Sequence, residues 1–377
     1  MNKKFIEYHI FNILNSEELQ RKPLDVFLSN YFRKHKNVGS KERPPICEAI
    51  YGMIRWRALL DHFSKPPITW EERYRIYQSI DLLEHQTNEK IAPHIRVSFP
   101  KFLFQLISDA YGEEKALALC ALSNTKAPTT IRANLLKTTR EELLQKWKNF
   151  YEVSPTKHSS EGIVFHRKIN FFGSDDFKEG FFEMQDEGSQ LVAKLIKTAP
   201  KEHVLDYCAG SGGKTLAFAP LMENKGIIYL HDIRDLALEE GKKRLRRAGI
   251  QNAQLLTFND QRKKKLKKTM DWVLVDAPCS GIGTLRRNPD MKWKIAKENI
   301  DNLTLLQKEI FKDALEFLKP KGRIVYATCS ILPEENEQQT AFFLETHNLE
   351  LVEELKILPE KDGMDGFYGA VFKAKCG

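Results

Sequence analysis

The chain has 377 residues, of which 42% are hydrophobic and 29% charged. That balance belongs to a globular protein with more than one packed unit, and it excludes wholesale disorder and collagen-like repeats. Lys and Arg number 59 against 51 Asp and Glu, a net charge of +8, which favours a polyanionic partner.

The six cysteines, at 47, 120, 208, 279, 329 and 376, make no C-x-x-C pair and have no histidine at zinc-finger spacing. Neither a metal site nor a disulfide framework is expected, and reduced thiols in the cytoplasm are. The opening MNKKFIEYHIFNIL is interrupted by Glu7 and His9 and does not read as a signal peptide. No run of 18 apolar residues occurs, so no membrane span is predicted. A monomer is the expected state.

Residues 1–124 predict an all-helical domain. Apolar positions recur at helical spacing in Phe5, Ile6, Ile10 and Ile13 and again in Leu24, Phe27, Leu28 and Tyr31. A further helix starts near Ser40, with Pro44 and Pro45 in its first turn, and is expected to carry ICEAIYGMIRWRALLDHF to Pro66. Others are expected over about 71–87, 98–111 and 113–124. Residues 125–182 change character: a strand-like TTIRANLL, a helix from Thr139 to about Trp147 and then GIVFHR read as a small α+β connector.

From 183 to 377 short apolar runs alternate with helices. The runs are HVLDYC (203–208), GIIYLHD (226–232), AQLLTF (253–258), DWVLVDAP (271–278) and GRIVYATCS (322–330). That alternation predicts an α/β domain with a doubly wound, mainly parallel sheet and helices on both faces. Ligands bind such sheets beyond the carboxyl ends of the strands, where all the candidate residues fall.

The first of these strands runs into Asp206-Tyr207-Cys208-Ala209-Gly210-Ser211-Gly212-Gly213-Lys214-Thr215. A Walker phosphate loop shares the Gly-Lys-Thr ending but needs glycine at 208, where this chain has Cys208. An adenosyl cofactor without phosphates fits better. It calls for an acid at the end of the second strand to hold ribose hydroxyls, and Asp232 is there. Asp260 follows the third strand, placed for the adenine edge, and Asp276 ends the fourth. A single such aspartate is more often a cap or turn residue. Four successive strands ending in Asp, beside a glycine-rich loop, point to a ligand.

Cys279 follows the fourth strand and Cys329 the fifth. Adjacent strand ends lie about 5 Å apart, so both thiols can face one pocket. A lone cysteine is more often a small buried hydrophobe, but two at the cofactor edge suit methylation of a pyrimidine carbon. C5 of cytosine becomes nucleophilic only after something adds to C6, and a thiolate is suited to that addition. A second thiol can assist the later release, and Asp276 at the N3/N4 edge of the base would stabilise the developing charge. On the residues alone, either thiol could be the one that adds.

The motifs D-x-C-A-x-x-G-G-K-T (Asp206 to Thr215), D-A-P-C-S-G (Asp276 to Gly281), T-C-S (Thr328 to Ser330), GTLRRNPDMKW (Gly283 to Trp293) and QDEGSQ (Gln185 to Gln190) resemble the RNA cytosine-C5 methyltransferases. Within them they are similar to the bacterial branch that includes ribosomal RNA small subunit methyltransferase B. The resemblance covers nearly the whole chain, although Ser211 stands where the family usually has Pro. It implies a Rossmann-like class I methyltransferase domain over 183–377, preceded by a NusB-like RNA-binding helical domain (1–124) and the connector (125–182). It implies S-adenosylmethionine as cofactor, with Cys208, Ala209, Gly210, Ser211, Gly212, Gly213 and Lys214 at its methionine end and Asp232, Asp260 and Asp276 contacting or bordering it. Cys329 would be the nucleophile and Cys279 the thiol that helps release product. Arg287, Asp290 and Lys292 would lie near the base. Small-subunit (16S) ribosomal RNA is the favoured substrate.

Two basic runs, KKRLRR (242–247) and RKKKLKK (262–268), are candidates for phosphate contact, with Lys263, Lys264 and Lys265 singled out. A solvated helix face is the competing reading for each. Other functions remain to be weighed: a tRNA cytosine-C5 methyltransferase, a DNA methyltransferase with Cys279 as nucleophile, or a non-catalytic RNA-binding assembly factor. Cys329 argues against the DNA enzyme, and the intact thiols and loop argue against the last.

Overall fold

The computed structural model describes residues 3–167 and 169–375; Cys376 lies outside them. The chain forms two compact units. Residues 1–126 and 284–299 make one, and 127–283 with 300–377 make the other. No helix among the described residues is long and apolar enough to cross a membrane.

The first unit is all helical. Its helix Leu24–Lys34 buries Leu24, Phe27, Leu28, Tyr31 and Phe32, a stripe at the expected spacing. The helix Arg43–Arg55 has its prolines in the first turn, where missing N–H groups cost nothing. It does not run on to Pro66. Trp56 turns out of helical geometry (φ −103°, ψ 17°) and a second helix, Arg57–Phe63, begins. The break is stabilised from a distance, because the Ser98 hydroxyl accepts from the Ala58 amide at 2.9 Å. Likewise the helix expected over 71–87 stops at Ser79, where Ile80 becomes extended. Ile10, Ile13, Ile46, Ile50 and Leu59 lie at the centre of this unit's core.

The second unit holds two sheets. The smaller is antiparallel and contains β1 (Thr129–Ala133), β2 (Val153–Pro155), β3 (Gly162–Phe165) and β4 (Phe182–Met184), in the order β2-β3-β1-β4. A full capping box at Thr139 and Glu142 starts the helix Arg140–Trp147, which buries Leu143 and Trp147 against Ile131, Phe165, Phe171 and Phe182. A domain boundary at 182/183 would cut β4, so the connector extends at least to Met184.

The larger sheet contains β5 (His203–Asp206), β6 (Ile227–His231), β7 (Ala253–Leu256), β8 (Met270–Asp276), β9 (Leu318–Thr328), β10 (Leu349–Ile357) and β11 (Phe367–Ala374), in the order β10-β11-β9-β8-β5-β6-β7. The five strands read from the sequence are mutually parallel. The last two are antiparallel additions at one edge. Period-2 alternation divides the side chains between two cores: Val204, Ile228 and Leu274 pack on one face with Leu216, Leu238 and Leu245. Leu205, Val273, Val275 and Tyr326 pack on the other with Phe311 and Phe343, whose rings stack at 3.8 Å.

Candidate active site

β5 lies between β6 and β8, and the chain order runs outward from it to β6 and β7 on one side and to β8 and β9 on the other. Such a reversal opens a crevice at the carboxyl ends of the strands. β5 delivers Asp206 into it and the chain then turns through Gly210 and Gly212, whose φ values of 54° and 75° favour glycine. Asp206 is buried; its Oδ2 accepts from the Thr215 hydroxyl at 2.6 Å and its Oδ1 has no partner among the described residues. Burial pushes its pKa up to about 7 and also raises that of the Cys208 thiol.

Asp232, one residue beyond β6, accepts from the Gly210 amide at 2.8 Å and from the Arg234 amide at 2.9 Å, and pairs with the Arg234 guanidinium. Burial alone would raise its pKa, but Arg234 and these amides hold it below the usual carboxylate range. The loop is therefore tied to the acid expected at a ribose. Its outer side is open: a Cβ added at Gly213 would meet nothing within 4 Å, and one at Gly210 only the Arg234 guanidinium at 3.5 Å. An open glycine cradle, a buried acid with an unpaired oxygen and a fixed second-strand carboxylate fit an adenosyl cofactor.

Lys214 is buried and its Nζ donates to Asp276 Oδ2 at 2.6 Å. Burial would depress the ammonium, yet Asp276 keeps it above its ordinary value. β8 and β9 then place the two thiols together, Cys279 Sγ and Cys329 Sγ being 3.4 Å apart. They are not equivalent. The hydrogen bond between them pulls the Cys329 pKa down against burial and Asp276, with Lys214 assisting. The same hydrogen bond, burial and the neighbouring negative groups raise Cys279 well above the ordinary thiol range.

The remaining expected residues make contacts of their own. Asp260 gives both oxygens to Arg262, and burial is not what shifts it: the Arg262 hydrogen bond lowers its pKa. Asp290 and Lys292 are buried inside the helical unit. Asp290 accepts from the Leu24 amide at 3.1 Å, and Lys292 donates to the Arg55 carbonyl and to Asn124 Oδ1, both at 2.8 Å. Both anchor segment 284–299 within this unit. Arg287 is half-buried in the same segment. Lys263 donates to the Phe258 carbonyl at 2.5 Å and lies 3.3 Å from His231 Nε2, while Lys264 and Lys265 are exposed.

Several residues around the site were not given their place in it by the sequence reading. Gln185 Nε2 reaches the Gly213 carbonyl at 3.4 Å, and Arg244 donates to the Ser211 carbonyl at 3.1 Å and to its hydroxyl at 2.7 Å. Glu335 and Asn336 lie beneath the thiols, in a stretch whose only sequence signal is its acidity. QDEGSQ did draw notice, and its placement against the loop accounts for part of it.

A family model for the 16S rRNA methyltransferases RsmB/F matches residues 193–373, and one for the ferredoxin-like domain of RsmF/B-like methyltransferases matches 99–171. The probable ribosomal RNA small subunit methyltransferase B of Bacillus subtilis is 31% identical across 89% of this chain and 91% of its own. The chain belongs to the RsmB/F family. The corresponding methyltransferase B of Vibrio vulnificus is 35% identical, covering 72% of this chain and 66% of that protein; the chain thus spans about two-thirds of that relative. A methyltransferase homolog from Pyrococcus horikoshii shares the fold, with 25% identity and a TM-score of 0.67 over 78% of this chain and 99% of its own. S-adenosylmethionine is the cofactor this membership assigns, in agreement with the sequence reading and with the open loop.

Proposed function

We propose that this RsmB/F protein methylates C5 of a cytosine in 16S ribosomal RNA, with Cys329 as nucleophile and Cys279 as the thiol that assists release. The observation that carries the reading is the pair of thiols 3.4 Å apart at the ends of adjacent parallel strands, beside the Lys214–Asp276 pair. Names of the relatives point to the same RNA.

The cofactor, when bound, supplies an electrophilic methyl group. The glycine turn and Asp232 are the groups that would hold it, Asp232 by its carboxylate on ribose hydroxyls. Cys329, the thiol more readily ionised, adds to C6 of the base, and the C5–C6 π pair moves onto the ring to make C5 nucleophilic. Asp276, held by Lys214, is the carboxylate that accepts from the amino group of the cytosine and orients the base for addition. After methyl transfer the C5 proton passes to water or another base, its C–H pair reforms the C5–C6 double bond, and the C6–sulfur bond breaks with its pair returning to Cys329 as thiolate. Cys279 lies against the sulfur that must depart. The target base must be unpaired or flipped for a thiol to approach its face.

Denaturing gels with labelled RNA and S-adenosylmethionine test the assignment. Cys329→Ala should abolish methyl transfer and form no covalent species. Cys279→Ala should add and methylate but accumulate a denaturant-resistant protein–RNA adduct. An adduct with Cys329→Ala and none with Cys279→Ala would exchange the two roles. Methylation of an RNA base other than cytosine would overturn the reaction itself.

A further inference from the structure

The ends of β8 and β9 bring two thiols into contact, and the residues around them keep them there. Cys279 Sγ and Cys329 Sγ are 3.4 Å apart, so only roughly 1.4 Å separates them from the length of a disulfide bond. Neighbouring strands lie about 4.8 Å apart, inside the range of Cα separations that a disulfide spans. Both turns are fastened. Glu335 is buried; its Oε1 accepts from the Ser280 amide at 2.8 Å and from Gln307 Nε2 at 3.2 Å, and its Oε2 from the Ser280 hydroxyl at 2.5 Å. Gln307 also donates to the Pro278 carbonyl at 3.0 Å, so the neighbours of Cys279 on both sides are held. Asn336 does the same for Cys329: its Oδ1 accepts from the Thr328 hydroxyl at 2.6 Å and its Nδ2 donates to the Ser330 carbonyl at 3.0 Å. Each thiol nevertheless keeps part of its surface exposed, and a small oxidant can reach the pair.

We propose that Cys279 and Cys329 are a site of reversible oxidation by hydroperoxides, closing to a disulfide that keeps the enzyme inactive until a free thiol reopens it. One thiolate attacks a peroxide oxygen, the O–O bond breaks, and the sulfur becomes a sulfenic acid. The second sulfur then attacks the first, the S–O bond breaks, and the S–S bond forms. Two thiols lose two electrons and two protons, and hydrogen peroxide is reduced to two molecules of water. Either sulfur can react first. The fastened partner directs the outcome, because the sulfenic acid meets a thiol already in contact before it meets a second peroxide. A thiol such as glutathione reverses the step by exchange and is itself oxidised to its disulfide. The loss of methyl transfer rests on the two-thiol reading above; the oxidation does not.

The full chain, treated with hydrogen peroxide, blocked with N-ethylmaleimide in denaturant and digested without reductant, reports the outcome by peptide mass. A peptide linked through Cys279 and Cys329 should accumulate and disappear on treatment with dithiothreitol. Cys279→Ala and Cys329→Ala, each lacking the partner thiol, should instead carry the remaining cysteine on to sulfinic acid, which dithiothreitol does not reverse. Oxidised wild type should bind S-adenosylmethionine with unaltered affinity in calorimetry, form no RNA adduct, and regain methyl transfer after reduction. Sulfinic acid at both positions of the wild type, or a link from either cysteine to Cys208 or to a second chain, would overturn the proposal. Should the single variants not fold, the products formed by the wild type decide alone. Full linkage with methyl transfer intact would overturn the switch and the catalytic reading together. Absence of linkage beside normal adduct chemistry would sink the switch alone.

Discussion

The two basic runs look alike in sequence and are unlike in the structure. In 242–247, on the helix Asp235–Ala248, Arg244 and Arg247 are three residues apart and both pair with Glu183, a buried carboxylate on β4. Arg247 also lies over the Phe177 ring at 3.9 Å, and Arg244 reaches on to Ser211 of the cofactor loop. Gly241 allows the approach, since a Cβ there would come within 3.2 Å of the Ser211 backbone. In 262–268, Arg262 returns to Asp260, Lys263 to Phe258 and Lys267 to Glu316, but Lys264 and Lys265 are exposed and form no ion pair among the described residues. Charge density along a chain therefore says little about whether the charge meets solvent, a partner or a buried acid. What decides is the counter-charge, here some 60 residues distant for the first run.

The largest effect should come from removing that counter-charge. Glu183→Ala would leave Arg244 and Arg247 facing an apolar hole, with buried Arg132 nearby. Breaking a buried pair from one side costs about 3–5 kcal/mol, roughly 10 °C in the melting temperature of a unit this size. Thermal unfolding of the full chain measures it. A loss below about 1 kcal/mol would put the first run back among solvated faces.

Next in size is Arg244→Ala, which removes the brace on the cofactor loop while Arg247 still neutralises part of Glu183. Losing a charged hydrogen bond of about 1.5–3 kcal/mol should weaken S-adenosylmethionine binding tenfold or more and leave the salt dependence of RNA binding unchanged. Calorimetry with the cofactor and an RNA titration at several salt concentrations make the comparison. A flattened salt dependence with normal cofactor affinity would assign Arg244 to RNA instead.

The same contrast explains what the sequence could and could not convey. Asp206, Asp232, Asp276, Cys279 and Cys329 were legible because each follows a short apolar run, and parallel topology gathers all such ends at one edge. Glu183, Arg244, Glu335 and Asn336 were not, because their meaning depends on partners brought near only by the fold. The helix break at Trp56 was hidden for the same reason: its cap, Ser98, is 40 residues away in another segment. β10 escaped notice because LELVEELKI carries four charges among its nine residues, as solvent-facing edge strands tend to. GTLRRNPDMKW was noticed as a motif, yet nothing local indicated that Asp290 and Lys292 point into the helical unit.

The smallest effect is expected from the second run, and it is the one that tests for RNA. Reversing Lys264 and Lys265 to Glu touches no hydrogen bond or ion pair among the described residues, so stability should stay within about 0.5 kcal/mol of wild type. If both ammonium groups meet phosphates of a single strand, each contributes about 0.7 to the slope of log affinity against log salt. Losing both should flatten that slope by about 1.4, with cofactor affinity unchanged. Lys242 and Lys243 are the control, since they are equally exposed on the other run. A matching loss from their reversal would mean that RNA meets a diffuse field rather than this turn. An unaltered slope for Lys264 and Lys265 would leave 262–268 as a solvated loop, and the net positive charge would need its phosphate partner elsewhere on the surface.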